Sequence, residues 1–408
     1  MTGRLLIWAV ISLAAVLVLA TSACGSGGGT ATGPSPEAPA SDLGTRLRPI
    51  ITEAMRDMSV PGAVVLVRTP AGQYLEAFGT RRVRTDDPVQ VGDHFRIGSN
   101  TKTMTGTVVL QLVQEGRIGL SDPVAKYQPE VPNGAEITIA QMLDMRSGLY
   151  NYTELESVNR TMDEDPDKVW QPQELVALAL AQPPYFAPGQ GFHYSNTNTV
   201  LLGMIIEQIT GRKLEDVFRE RIFTPLGLQN TVFPPLTSSS ILDPHPQGYL
   251  FGTNVSTLAD PALPPDQQAA AREGTLAPTD VTDVNPSWAW AAGAAISSAE
   301  DLATYVKPLV TGGLLDAATQ KQRIDSLPPT PANGNEDGNG NANSASYGLA
   351  LARFGPMIGH DGSLPGYQSF MGYDPDGDTT LIVLTNLQAA PDGAQPANEI
   401  AKRIIAQL

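Results

Sequence analysis

The 408-residue sequence predicts an α+β protein, an antiparallel sheet flanked by helices with a largely helical region inserted between its strands. Three observations lead there. Strand-like segments fall near both ends of the chain, at 63–68 and 74–78 and again at 347–353, 368–373 and 379–385. The stretch between them reads as helical segments joined by proline-rich connections. Strands so far apart can share one sheet only if the middle is an excursion from it.

The amino terminus reads as an address. One positive charge at Arg4 precedes sixteen almost wholly apolar residues at 5–20. That length suits the apolar part of a signal peptide better than a membrane span, which needs about 20 residues. Thr21-Ser22-Ala23-Cys24 and a glycine-rich run follow. The pattern is similar to a bacterial lipoprotein signal, in which Cys24 is lipidated and becomes the first residue. Thr21 departs from it, because the pattern prefers leucine there. Plain cleavage with secretion and a retained anchor are the alternatives. All three put the folded part outside the cytoplasm, lipid-anchored to the cell membrane in the leading reading. Residues 25–41, rich in Gly, Ser, Pro and Ala, form a tether that cannot bury a core. The expected organisation is a signal at 1–23, a tether at 24–41 and a folded domain at 42–408. Within that domain the sheet region is about 42–92 plus 288–408, and the helical region about 93–287.

The elements follow in order. Leu47, Ile50, Ile51 and Met55 recur at helical spacing, so 43–58 is an amphipathic helix broken by Pro61-Gly62. The segments 63–68 and 74–78 bracket a Thr-Pro-Ala-Gly turn and read as a hairpin. A helix runs over 101–115, capped by Gly116, and another over 200–210, ended by Gly211. Residues 323–346 are nearly devoid of apolar side chains and read as an exposed, mobile loop. Strands resume at 347–353, and a helix at 397–408 closes the chain.

Composition narrows the function. Apolar residues at 41% and charged ones at 17% suffice for a core. With 26 Lys+Arg against 42 Asp+Glu, the net charge of −16 argues against nucleic acid or an anionic membrane surface as the main partner. Membrane association would come through a lipid anchor only. Cys24 is the single cysteine, so no internal disulfide or thiolate metal cluster can form. The four histidines show no HxH or HExxH spacing, and no zinc site is expected.

Three short segments carry chemistry. Ser99 precedes the periodic helix of Val108, Val109, Leu112 and Val113, with Lys102 three residues on. Positions i and i+3 share a helix face, so ammonium and hydroxyl can meet. The helix N-terminus favours negative charge on Oγ and a lowered lysine pKa. A serine needs such a neighbour to become a nucleophile. Taken alone, the pair could equally be a capping serine and a surface lysine. Tyr194 and Asn196, two apart in FHYSNTN, can point the same way, a phenol to shuttle a proton and a carboxamide to bind an amide. Gly359-His360-Asp361-Gly362-Ser363 combines a histidine with glycines that permit close approach of a ligand.

In order and spacing the three together resemble the SxxK, YxN and KTG or HxG motifs of the penicillin-recognising serine hydrolases. The segments at 137–152 (ITIAQMLDMRSGLYNY), 186–189 (FAPG), 225–228 (PLGL) and 293–298 (GAAISS) are also similar to stretches of that superfamily. The resemblance covers about 45–408 and is nearest to the secreted D-alanyl-D-alanine carboxypeptidases of actinomycete type.

The resemblance implies a β-lactamase/transpeptidase-like fold with the active site between sheet and helical region. It implies Ser99 as acyl-forming nucleophile. Lys102 would activate it, either as a neutral base or by holding Tyr194 as phenolate. Tyr194 would relay the proton to the leaving amine, and Asn196 would bind the substrate amide and orient Lys102. His360 would stand in for the KTG lysine, and the N–H groups of Ser99 and Ser363 would form the oxyanion hole beside an open Gly362. Neither metal nor organic cofactor is implied. The implied substrates are a peptidoglycan-like peptide, a β-lactam, or a small ester or amide, with D,D-carboxypeptidase action leading. The alternatives are a β-lactamase, esterase or D-amino-acid amidase of the same fold, or a penicillin-binding sensor that does not turn over. The chain lacks an ExxLN segment and a GxSxG elbow, which disfavours class A β-lactamases and α/β-hydrolases. Asp361 departs from the threonine common there, a residue that helps bind a substrate carboxylate. An ionised Asp361 would repel that carboxylate unless a cation such as Arg353 compensates.

Overall fold

The computed structural model describes residues 42–328 and 347–408. The expected signal, tether and Cys24, and residues 329–346 of the expected loop, lie outside the described residues.

The central sheet has seven antiparallel strands. They are β1 (Gly62–Thr69), β2 (Gly72–Gly79), β3 (Tyr347–Gly348), β4 (Leu351–Phe354), β5 (Met357–Leu364), β6 (Tyr367–Asp374) and β7 (Thr379–Thr385). Their spatial order is β2-β1-β7-β6-β5-β4-β3. The first hairpin is thus joined to the last strands through β1 and β7, with Val65 opposite Val383. The helical excursion expected from the sequence is present between them.

Both faces of the sheet are covered, which is why its central strands are continuous Val/Leu/Ile runs. On β1, Ala63, Val65 and Val67 face one core, and Val64 and Leu66 the other. On β7, Leu381 and Val383 alternate in the same way with Ile382 and Leu384. The smaller core is closed by α1 (Asp42–Asp57), through Leu47, Ile51 and Ala54, and by the terminal helix Pro396–Ile405. The larger core holds α2 (Thr101–Gln114), α3 (Asn196–Thr210) and α4 (Ala299–Thr311). Helix α5 (Ala317–Asp325) follows α4, and the terminal helix is α6.

The structure corrects three local expectations. Residues 323–325 are the end of α5, not loop, and Arg323 is wholly buried. The expected strand 347–353 is two short strands, β3 and β4, around a turn where Ala350 has a φ of 53°. Strand β5, MIGHDGSL, was not read as a full strand because its glycines and polar residues hide any alternation. Strand β4 pairs with β5 only from Met357 to Gly359. From His360 onward that edge of β5 has no strand beside it among the described residues and meets the turn that carries Ser99.

Candidate active site

Ser99 lies in a 3-10 turn, Gly98–Asn100, that leads directly into α2. The turn is pressed against β5. A Cβ on Gly362 would lie 2.1 Å from the Ile97 carbonyl oxygen and 2.9 Å from Ser99 N. A Cβ on Gly98, whose φ is +51°, would lie 2.8 Å from Ser363 N. Only two glycines allow this approach. It brings the backbone N–H groups of Ser99 and Ser363 to one place, while the Ser363 side chain is exposed.

Lys102 sits one turn into α2, fully buried. Its Nζ donates to Ser99 Oγ at 2.9 Å, Asn196 Oδ1 at 2.6 Å and the Ala292 carbonyl at 2.8 Å. Those three acceptors use all three ammonium hydrogens. Burial nonetheless lowers its pKa to about 7, against the opposing negative charge of Asp361. A neutral amine at this place has a lone pair for the Ser99 proton.

Tyr194 is half-buried, and its ring lies 4.8 Å from Lys102 Nζ and edge-on to Tyr347. Its hydroxyl is buried and makes no hydrogen bond of ordinary geometry among the described residues, although the Ser99 hydroxyl lies close enough to act on it. Burial pushes the phenol well above its ordinary pKa, with the Tyr347 hydroxyl adding and the Ser99 hydroxyl opposing. The protonated phenol is the favoured form, so a Tyr194 phenolate is disfavoured.

Asn196 is the first residue of α3, four residues before the expected start. Its Oδ1 holds Lys102, but its Nδ2 is spent on Thr153 Oγ1 at 3.1 Å and Asn151 Oδ1 at 3.3 Å. It therefore orients Lys102, and its amide hydrogens are not free for a substrate, unlike the expectation.

His360 differs more. It is buried, with Nε2 3.1 Å from the Tyr347 hydroxyl and Nδ1 2.6 Å from the Asp361 carbonyl oxygen. Burial and the nearby Lys102 charge depress its pKa to about 3. It is a neutral support for Tyr347, neither a cation nor an exposed substrate contact. Arg353 forms no ion pair with Asp361; its Nε is buried without a partner among the described residues. Asp361 is instead held by Asn398 Nδ2 at 2.8 Å.

Sequence reasoning missed a second layer. Asn151 Nδ2 donates to Glu154, which also accepts from Tyr185 at 2.6 Å and meets His193 Nε2 at 2.9 Å. Burial raises the Glu154 pKa, but the bonds from His193 and Tyr185 outweigh it and hold the carboxyl below its ordinary value. A hydrogen-bonded path thus runs from Glu154 through Asn151, Asn196 and Lys102 to Ser99. The only sequence signal was the SGLYNY segment beside it. Ala292, whose carbonyl holds Lys102, left none.

A serine bonded to a buried lysine of lowered pKa, beside two converging backbone N–H groups, is the site of a serine hydrolase. The chain belongs to the Beta-lactamase family, whose model matches residues 47–404. Penicillin-binding protein 4* of Bacillus subtilis (strain 168) is 26% identical over 81% of this chain and 69% of its own length. Protein flp of Staphylococcus aureus (strain MW2) is 25% identical over 83% of this chain and 62% of its own length, so the chain spans less than two thirds of that relative. Among solved structures, a D-stereospecific amidohydrolase from Streptomyces sp. matches 88% of this chain and 97% of its own, at 31% identity and a TM-score of 0.70. D-amino acid amidase from Ochrobactrum anthropi SV3, complexed with L-phenylalanine amide, matches 90% and 98%, at 27% identity and a TM-score of 0.73.

Proposed function

We propose that the protein hydrolyses an amide bond through an acyl-Ser99 intermediate, in the manner of a D-amino-acid amidase. The contact from Lys102 Nζ to Ser99 Oγ, 2.9 Å, carries this reading. Ser99 Oγ attacks the carbonyl carbon as its proton passes to neutral Lys102. The oxyanion that forms is held by the N–H groups of Ser99 and Ser363. Tyr194, whose ring lies 4.8 Å from Lys102 Nζ and whose hydroxyl is near Ser99, delivers a proton to the departing amine and is reprotonated from Lys102. Water then hydrolyses the ester and frees Ser99.

The D,D-carboxypeptidase reading stands second, favoured by the likeness to Penicillin-binding protein 4*. It needs a cation for a terminal carboxylate. Here the positions in question hold neutral His360 and acidic Asp361, and Lys102 has no hydrogen to spare.

Intact mass followed over time tests the chemistry, with a penicillin, a D-amino-acid amide and an acyl-D-Ala-D-Ala peptide as ligands. A penicilloyl adduct absent from Ser99→Ala, together with release of ammonia from the amide, is expected. Release of D-alanine from the peptide alone would put the carboxypeptidase first, and an adduct that Ser99→Ala retains would refute both. We further propose that the domain acts outside the cytoplasm on a lipid carried by Cys24. Membrane association should then be lost in Cys24→Ala, and retention at the wild-type level would refute it.

A further inference from the structure

Two acceptors decide where neutral Lys102 can turn. An unprotonated amine keeps two hydrogens and one lone pair. Asn196 Oδ1 and the Ala292 carbonyl can only accept, and they lie 2.6 and 2.8 Å from Nζ. They take both hydrogens, and the lone pair is left facing Ser99 Oγ at 2.9 Å. With the Ala292 carbonyl turned away, Ser99 would become the acceptor of the second hydrogen and would lose its base.

The Ala292 carbonyl belongs to a 3-10 turn, Trp290–Ala292. Trp290 is buried, with a φ of 34°, a left-handed backbone that a bulky side chain rarely adopts. Such a conformation persists only where the surroundings over-determine it. Helix α3 supplies the constraint on one side. A Cβ on Gly203 would lie 2.8 Å from Trp290 Cζ3 and 2.6 Å from Ala291 Cβ, so the turn rests directly on the helix backbone. Gly203 is two turns beyond Asn196, on nearly the same face of α3. Helix α2 holds the turn from the other side. Thr105, three residues after Lys102, donates through Oγ1 to the Ala291 carbonyl at 2.7 Å. The helix face that presents Asn196 to the lysine thus also seats the turn that presents Ala292.

We propose that Trp290, seated on Gly203 and tied by Thr105, is a positioning residue for Lys102. It holds the Ala292 carbonyl in place as an acceptor, so that the neutral amine can turn its lone pair only to Ser99. This rests on the acyl-serine reading and adds to it a group that acts through the lysine.

The titration of Lys102 in the full chain tests this without turnover. It is read by NMR on lysine labelled with 13C at Cε, the signal being the one lost in Lys102→Met. Trp290→Phe shortens the ring that meets Gly203, Gly203→Ala drives it off, and Thr105→Val deletes one hydrogen bond. Tyr194, His360 and Asp361, the titratable groups that also face the amine, are unchanged in all three. An acceptor of an ammonium hydrogen favours the charged form, so its loss should lower the Lys102 pKa by about one unit from about 7. Acylation of Ser99 by a penicillin, followed by intact mass, should slow at least about tenfold at its pH plateau. Trp288→Phe, at the buried tryptophan of the preceding turn, should lower the melting temperature and leave the lysine titration where it is. A Lys102 pKa unmoved or raised in the folded variants overturns the proposal. Thermal melts show which variants are folded, and Thr105→Val, the mildest change, decides where the ring variants are not. A lowered lysine pKa without any penicilloyl-Ser99 in the wild type would sink the acyl-serine reading alone, so the two failures are separable.

Discussion

Lys102 and Asn196 meet at 2.6 Å across 94 residues of sequence, Nζ to Oδ1. The neutral amide shapes the lysine's position without stabilising its charge as an anion would. Asn196→Asp should therefore raise the Lys102 pKa by about 1–3 units. The acid limb of kcat/KM should move up by the same amount, leaving activity at pH 7 about 5- to 500-fold lower and recovering in alkali. A pH profile of the variant checks this, and an unmoved limb would count against Lys102 as the base.

The wild-type enzyme should gain activity with rising pH through about 7, where buried Lys102 loses its proton. Stability should follow the same group. A lysine at about 7 folded and about 10.4 unfolded leaves the unfolded chain with more bound protons between those values, so folding strengthens with pH across that window. The full shift corresponds to roughly 5 kcal/mol as an order of magnitude. Urea midpoints at pH 7 and 9.5 should differ more in wild type than in Lys102→Met, which removes this contribution.

Gly362→Ala would place a methyl 2.1 Å from the Ile97 carbonyl oxygen. The strand must then retreat from the Ser99 turn, separating the two oxyanion donors. A fall in kcat of about 10²- to 10³-fold is expected, the usual effect of losing one such donor. Steady-state kinetics beside a thermal melt separates this from unfolding.

Arg323 is wholly buried and bonds Thr107 Oγ1 at 2.8 Å and the Ala350 carbonyl at 3.2 Å, with no carboxylate beside it among the described residues. Burial lowers its pKa to about 10. Arg323→Ala should cost about 2–4 kcal/mol through a cavity and an unpaired carbonyl. Arg323→Met keeps the volume and relieves the buried charge, so it should cost clearly less. Denaturant unfolding of the pair is the measurement, and equal losses would contradict this account.

The parts legible in the sequence were those fixed by local patterning. The spacing of Val108, Val109 and Leu112 marked α2, and with it the common face of Ser99 and Lys102. The apolar runs at 63–68 and 379–385 marked β1 and β7 as strands. Contacts between distant segments were not legible. Asn196 begins its helix because Asn151 receives its backbone N–H at 3.1 Å, whereas the apolar period alone starts at Val200. His360 reads as a polar ligand, yet burial beside Tyr347 makes it a neutral strut. Arg323 sits in a polar run that resembles loop, and only the packing of α5 on α2 reveals its burial.

The covered edge of β5 has a consequence for self-association. An unpaired strand edge is a template for any other chain, including a second copy of this one. Beyond Gly359, where pairing with β4 stops, the Ser99 turn packs so closely on β5 that a Cβ on Gly362 would lie 2.1 Å from the Ile97 carbonyl oxygen. A second strand joining there would have to displace that turn. The segment that holds the nucleophile thus also blunts the edge against aggregation.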